Sequence, residues 1–437
     1  MPGEIFLVKA GPLGMALAMV AATIILVIIS INYYYMIKRY PVAGGEFIYV
    51  NAVFGRKNAF ICSWFLALCY LSIVPLNATA LALIFRTVLH DVFSFQFGFH
   101  YQVFGYDVYM GEVMLALTAL FLFAGLSIRG VSITGKFQTL LVLLLVGGIT
   151  TVSFAAFLNP QASLANFTPG FPPNVENHVV AILSILAISP WAFVGFDTIP
   201  QAAEEFNFSP AKSLFIMIVA IVFGSLAYVA LNMITISILP AGFDNWVDYI
   251  AASKTAEGLM TLPTFYSTYL LLGETGLFFL SAAVIAAILS GLLGFFMATS
   301  RLLFAMSRDK VLPELFSKLH DTYKTPRNAI LFILAVSVIA PFMGRTVLGW
   351  IVDMASLGAA VGYGYTSLVA FKYAKENGDT AIKITGLLGF IFAVLFAILL
   401  LVPIPYFNIS LGKESYFFLL IWTIMGYYFF RSRKQKD

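Results

Sequence analysis

The chain has 437 residues, 61% of them hydrophobic and only 11% charged, with a formal net charge of +4 and a mean hydropathy of +0.93. A soluble domain carries about 25% charged residues, so this composition excludes a water-soluble protein and places no nucleic-acid partner in prospect. Apolar runs long enough for the roughly 20 helical residues that cross a bilayer recur along the length, and no alternating ten-residue pattern indicates a β-barrel.

In chain order, spans are predicted near 13–36, 58–86, 111–129, 133–158, 179–206, 211–239, 276–307, 328–343, 347–374, 385–404 and 415–430. Turn formers and charges fill the connections, as in Tyr40-Pro41-Val42-Ala43-Gly44-Gly45 and Phe171-Pro172-Pro173-Asn174. The fold class is therefore an all-α polytopic membrane protein of about eleven spans, forming a single membrane domain over 1–437. Cys62 and Cys69 lie seven residues apart in one apolar run. On a helix that is about 10 Å of rise, beyond the reach of a disulfide, and both read as buried thiols. His90, His100, His178 and His320 fall between spans without metal-ligand spacing. No metal, redox site or other cofactor is expected.

The basic residues set an orientation. Twenty of the 25 Lys and Arg residues fall on one side of this topology, and only Lys9, Arg86, Lys254, Arg345 and Lys413 fall on the other. Positive residues accumulate on the cytoplasmic side. The C-terminus and the 308–327 loop are thus expected there, in a multi-pass protein of the cell membrane, and Met1 outside.

One run, 179–206, is interrupted by Pro190, Gly195 and Pro200. Pro190 removes a backbone donor and disfavours helix at Ser189, so a break is predicted between Ser189 and Gly195. Unpaired backbone groups at membrane depth are tolerated only when buried in protein or facing a wet cavity. Amides at a helix start attract a carboxylate, and loose carbonyls attract an ammonium. Such a break suits a zwitterion; a plain proline kink in a packed helix is the alternative from the residues alone.

Three stretches resemble the amino acid–polyamine–organocation permeases. Tyr40 to Val50, followed by Phe54-Gly55, is similar to the family's Pro-x-Ala-Gly-Gly-x-aromatic loop after its second helix. Ser189-Pro190-Trp191-Ala192-Phe193-Val194-Gly195-Phe196-Asp197, followed by Glu204-Glu205, resembles its broken sixth helix. Ser300-Arg301 through Met306-Ser307-Arg308-Asp309-Lys310 to Pro313, then Thr325-Pro326, resembles the end of its eighth helix.

The resemblance implies a secondary transporter of an amino acid or amine working by alternating access. Its fold would be an inverted five-plus-five repeat, with residues 1–158 as the first unit, 179–374 as the second and 385–430 as an appended pair. The family has twelve helices, and Pro2 to Gly14 looks like the tail of the first, whose broken segment is then expected to be absent. A groove beside Trp191 and Phe193, open along one flank, is expected in consequence. A non-transporting or truncated homologue with a scaffold or regulatory role is the alternative. No enzyme constellation lies within the spans.

The resemblance and the break together nominate Ser189, Trp191, Ala192, Phe193 and Gly195 for substrate, Trp191 through cation–π contact with a cationic one. Asp197, Glu204, Glu205, Arg301 and Arg308 are gating candidates, since an acid within a span is by default functional. Tyr70, Asn77, Ser281 and Ser290 are weaker candidates, because such groups also bond between helices. Gly358, Gly362 and Gly364 read as packing positions. Many members of the family carry a lysine in the fifth helix that stands in for a sodium ion; its position falls near Leu144, and no lysine occurs between Lys136 and Lys212. A coupling proton, exchange and facilitated transport all stay open.

Overall fold

The computed structural model describes residues 2–89, 94–205, 209–404 and 409–434. His90 lies outside them. Twelve α-helices carry the fold: α1 (Leu7–Arg39), α2 (Gly45–Thr87), α3 (Met110–Arg129), α4 (Val131–Leu158), α5 (His178–Phe193), α6 (Ser213–Ser237), α7 (Trp246–Ser253), α8 (Pro263–Arg308), α9 (Arg327–Ser337), α10 (Val347–Asn377), α11 (Thr380–Leu401) and α12 (Lys413–Lys434). Among the described residues nine helical segments are long and apolar enough to cross a membrane. The chain is an all-α polytopic membrane protein.

The expected spans 328–343 and 415–430 differ from the other nine. The first becomes the 11-residue α9 and, after a short turn, the 3₁₀ segment Ala340–Thr346, because Pro341 cannot donate within a continuing α-helix. The second becomes α12, whose apolar stretch is bounded by Lys413 and Glu414 at one end and Arg431 at the other. It docks through two tryptophans. Trp64 Nε1 donates to Trp422 O at 2.9 Å, Trp422 Nε1 donates to Trp64 O at 3.0 Å, and the rings stack at 4.4 Å. Each indole N–H is thereby satisfied away from water. Trp422→Ala should destabilise the protein by about 3–5 kcal/mol, the usual cost of emptying so large a site. Trp422→Phe, which keeps the stack, should cost only about 1–3 kcal/mol. Thermal melting of the detergent-solubilised variants checks both.

Several helices outrun their predicted bounds. α2 and α8 each join two helical pieces, interrupted where Gly55 (φ +76°, ψ 174°) and Gly273 (φ +62°, ψ −157°) leave helical geometry; the second pieces begin close to the predicted bounds, and the first add turns back to Gly45 and Pro263. Between α2 and α3 stands a two-stranded antiparallel hairpin, β1 (His100–Val103) and β2 (Tyr106–Tyr109). Its two-residue turn, Phe104-Gly105, has both φ angles positive, the geometry that matches strand twist. The hairpin rests on the 3₁₀ segment Ala340–Thr346, with Tyr101 Oη donating to Phe342 O at 2.6 Å. Arg86 braces its base, 3.5 Å from Glu112 and donating to Asp107 O at 2.8 Å.

α10 packs along α2 and α11, α4 along α8, and α5 against α1, α10 and α11. Small residues permit the closest approach. A Cβ at Gly358 would stand 2.4 Å from Phe65 O of α2, and one at Gly362 would stand 3.0 Å from Leu66.

Candidate functional site

α5 opens with an Asn177 cap, whose Oδ1 accepts from Val179 N at 2.9 Å, and runs unbroken through Pro190. It stops at Phe193. Val194 has extended backbone (φ −54°, ψ 131°) and Gly195 has φ +137°, after which the chain resumes as the 3₁₀ segment Phe196–Glu205. The helix is broken rather than bent, but the break occupies Val194 and Gly195 instead of beginning at Ser189. A proline is tolerated in the last turn because few helical residues follow it, and Gly195 alone supplies the left-handed geometry the turn requires.

The nominated substrate residues separate into two sets. Trp191, Ala192 and Gly195 are half-buried. Ser189 is fully buried and its hydroxyl donates back to Leu186 O at 2.7 Å, while Phe193 is buried edge-on against Tyr228. A Cβ at Gly195 would meet nothing within 4 Å.

Gly294 of α8 is also open. A Cβ there would meet nothing within 4 Å, although no residue of α8 from Leu280 to Ser307 is exposed. The half-buried positions of this stretch include Ala287, Ser290, Gly291, Gly294, Met297 and Arg301, about one turn apart and mostly small. α8 packs on α2, α4 and α6, whereas α5 packs on α1, α10 and α11; the 3₁₀ segment Phe196–Glu205 touches α1, α2, α6 and α8.

Asp197 sits at the start of that 3₁₀ segment and is fully buried. Its Oδ1 accepts from Gly195 N at 2.8 Å, and its Oδ2 accepts from Tyr70 Oη at 3.0 Å. The same hydroxyl lies 2.9 Å from Asp197 O. One gating candidate is therefore joined to one of the weaker candidates, and this bond ties the broken helix to the middle of α2. Glu204 meets Arg308 at 3.6 Å, both side chains 42% exposed; such a pair contributes only about 0–1 kcal/mol. Arg301, the other basic residue considered for Glu204, is half-buried. The side chain of Glu205 lies outside what the structure describes.

The remaining candidates bond mainly within the scaffold. Asn77 donates to Ile73 O at 3.0 Å and lies against Gly291, Ser281 donates to Leu277 O at 2.6 Å, and Ser290 Oγ accepts from Gln138 Nε2 at 2.5 Å. Leu144, at the family's lysine position, is 43% exposed and lies outside the core. Cys62 and Cys69 are free and buried. Among the described residues no three His, Cys, Asp or Glu side chains are grouped to hold a metal.

A second buried polar centre escaped the sequence reading. Glu46 and Gln201 are both fully buried, and Gln201 Nε2 donates to Glu46 Oε2 at 2.5 Å. Tyr33 of α1 and Tyr363 of α10 flank them, their rings 6.1 Å apart. In the sequence Glu46 falls in the connection before the span predicted from residue 58, where a charged residue is unremarkable. What buries it is the paired glycine before it. A Cβ at Gly44 would stand 2.4 Å from Ala305 Cβ, and one at Gly45 would stand 2.8 Å from Pro200 Cβ. Residues 41–55 therefore lie pressed between the 3₁₀ segment and the end of α8, and Asn51 donates to Asp309 Oδ2 at 3.1 Å.

A family model described as amino acid permease matches residues 3–430. The chain is 25% identical over 403 positions to the methylthioribose transporter of Bacillus subtilis, covering 90% of this chain and 80% of that protein. It is 25% identical over 451 positions to the branched-chain amino acid permease BcaP of the same organism, covering 98% and 87%. To the glutamate/serine transporter AimA, also of Bacillus subtilis, it is 24% identical over 463 positions, covering 96% and 81%.

Proposed function

Because the chain belongs to the amino acid permease family, within the amino acid–polyamine–organocation group, we propose that it carries an amino acid or related amine across the cell membrane by alternating access. The observation that carries this reading is the break at Val194–Gly195. It ends one helix and starts another inside the bundle, so the last turn of α5 leaves carbonyls without helical donors, while at the start of the 3₁₀ segment Gly195 N is held by Asp197 Oδ1 and Thr198 N by Gly195 O. Opposite partial charges a few ångströms apart match an ammonium and a carboxylate on one carbon. In this reading the half-buried Trp191, Ala192 and Gly195 border the site, and the small residues of α8, on which the 3₁₀ segment packs, would form its far wall.

In this reading residues 1–158 and 179–374 are two inverted units that move against each other. The Asp197–Tyr70 bond and the Glu204–Arg308 pair close the path toward the basic loops, which face the cytoplasm. Reporter fusions should accordingly place the C-terminus after Lys434 on the inner side and a fusion at Lys254 on the outer side; both on one side would overturn this topology.

Uptake of radiolabelled amino acids, amines and methylthioribose into proteoliposomes tests the function. Saturable uptake of at least one amino acid or amine is expected. Uptake of methylthioribose alone would favour a sugar-type substrate, in line with one of the relatives. Repeating the measurement with and without an imposed pH gradient separates proton symport from exchange and facilitated movement.

A further inference from the structure

The Glu46 centre holds more oxygen than the protein itself satisfies. Glu46 Oε1 and Gln201 Oε1 accept no hydrogen bond, although both side chains are wholly buried. The Tyr33 hydroxyl faces Glu46 on one side and Thr366 of α10 on the other without hydrogen-bond geometry to either. Thr366 Oγ1 and the hydroxyls of Tyr49 and Tyr363, one helical turn from Glu46 and from Thr366, are likewise unpaired and buried. Native interiors leave few such atoms, and each costs about 1–3 kcal/mol when orphaned. Here six gather where α1, α2, the 3₁₀ segment and α10 meet, and every one is oxygen.

Charge points the same way. Among the described residues the ionisable groups recorded beside Glu46 are Asp197, Tyr33, Tyr49, Cys62, Cys69, Tyr70 and Tyr363. None is basic. A carboxylate in a low-dielectric interior needs a positive partner. Water on the hydroxyls with a proton on the carboxyl would satisfy this centre by removing the charge, whereas a cation among the oxygens would compensate the charge and leave it in place. Oxygen-only donor sets around a carboxylate suit hard cations.

We propose that Glu46, Gln201, Tyr33 and Thr366 bind a small monovalent alkali cation, of which sodium is the probe, between α1, α2, the 3₁₀ segment and α10. The ion would bridge residues 41–55 to the 3₁₀ segment and α10, and so stabilise the closed arrangement of that end of the bundle. Its link to transport rests on the proposed function, but its occupancy does not.

The test is thermal melting of the substrate-free, full-length protein in detergent, titrated with sodium chloride against N-methyl-D-glucamine chloride at fixed pH and ionic strength. Sodium should raise the melting temperature saturably, by roughly 2–4 °C. Glu46→Gln should abolish the rise, whatever it does to the baseline. Should that variant not fold, Thr366→Val, which removes one donor and keeps the charge, should shift half-saturation to about tenfold more sodium. No difference between the two salts in the wild type would overturn the proposal. So would an equal sodium response in Glu46→Gln or, where that variant does not fold, an unshifted half-saturation in Thr366→Val. A stabilisation obtained only by lowering the pH would also overturn it and assign the carboxyl a proton. Because no substrate is present, any of these results leaves the amino acid uptake measurement standing as an independent question.

Discussion

Gly294→Leu should abolish substrate uptake, by about 100-fold or more, while leaving the melting temperature within about 2 °C of the wild type. The expectation rests on an unusual pairing of facts. The α8 stretch around Gly294 has no exposed residue, yet a Cβ at Gly294 touches nothing. Gly294 is itself half-buried, and in the proposed function the open space beside it belongs to the substrate path. A leucine can enter it without displacing protein, so stability is kept, but it fills volume that a substrate would need. Uptake per folded molecule, with melting recorded on the same preparation, checks the result. Gly195→Leu is a poorer probe of the proposed site, because φ +137° strains any side chain there whatever the space.

Gly44→Val should do the opposite, destabilising the fold by about 3 kcal/mol or more. Gly44 has φ +103°, and its absent Cβ would lie 2.4 Å from Ala305 Cβ. A left-handed conformation costs a branched residue about 1–3 kcal/mol, and overpacking adds about 1–3 kcal/mol. Residues 41–55 would have to lift from α8, taking Glu46 away from Gln201. Melting of the purified variant checks this. The two glycines thus separate space proposed for a ligand from space closed by the chain.

Most spans were legible because hydrocarbon thickness imposes a run length that soluble folds do not show. The bounds were not. Spans were expected from residues 13 and 58, whereas helical turns run back to Leu7 in α1 and to Gly45 in α2. Gly11 and Gly55 do leave helical geometry, as their residue type suggests, but helical turns resume on both sides of each and extend the elements. The hairpin went unread although Tyr101–Val103 and Tyr106–Val108 flank a two-residue turn, since four-residue strands barely rise above an aromatic-rich background. Asp197 and Tyr70 were legible singly, one as an acid in a span and the other as a polar residue on an apolar helix. Their hydrogen bond joins residues 127 positions apart, and no periodicity encodes that. Glu46 was hidden for the same reason: its hydrogen-bond partner Gln201 lies 155 positions away.

The central claim is that the break at Val194–Gly195 receives both charged ends of an amino acid. Competition against uptake of the best labelled amino acid tests it most directly, using the same amino acid unlabelled, its methyl ester, its N-acetyl derivative and methylthioribose. The account predicts that the free amino acid competes fully. Each singly blocked form should compete at least about tenfold more weakly, losing one charge-assisted set of contacts worth about 1.5–3 kcal/mol. Equal competition by the ester and the N-acetyl form, or by methylthioribose, would contradict it.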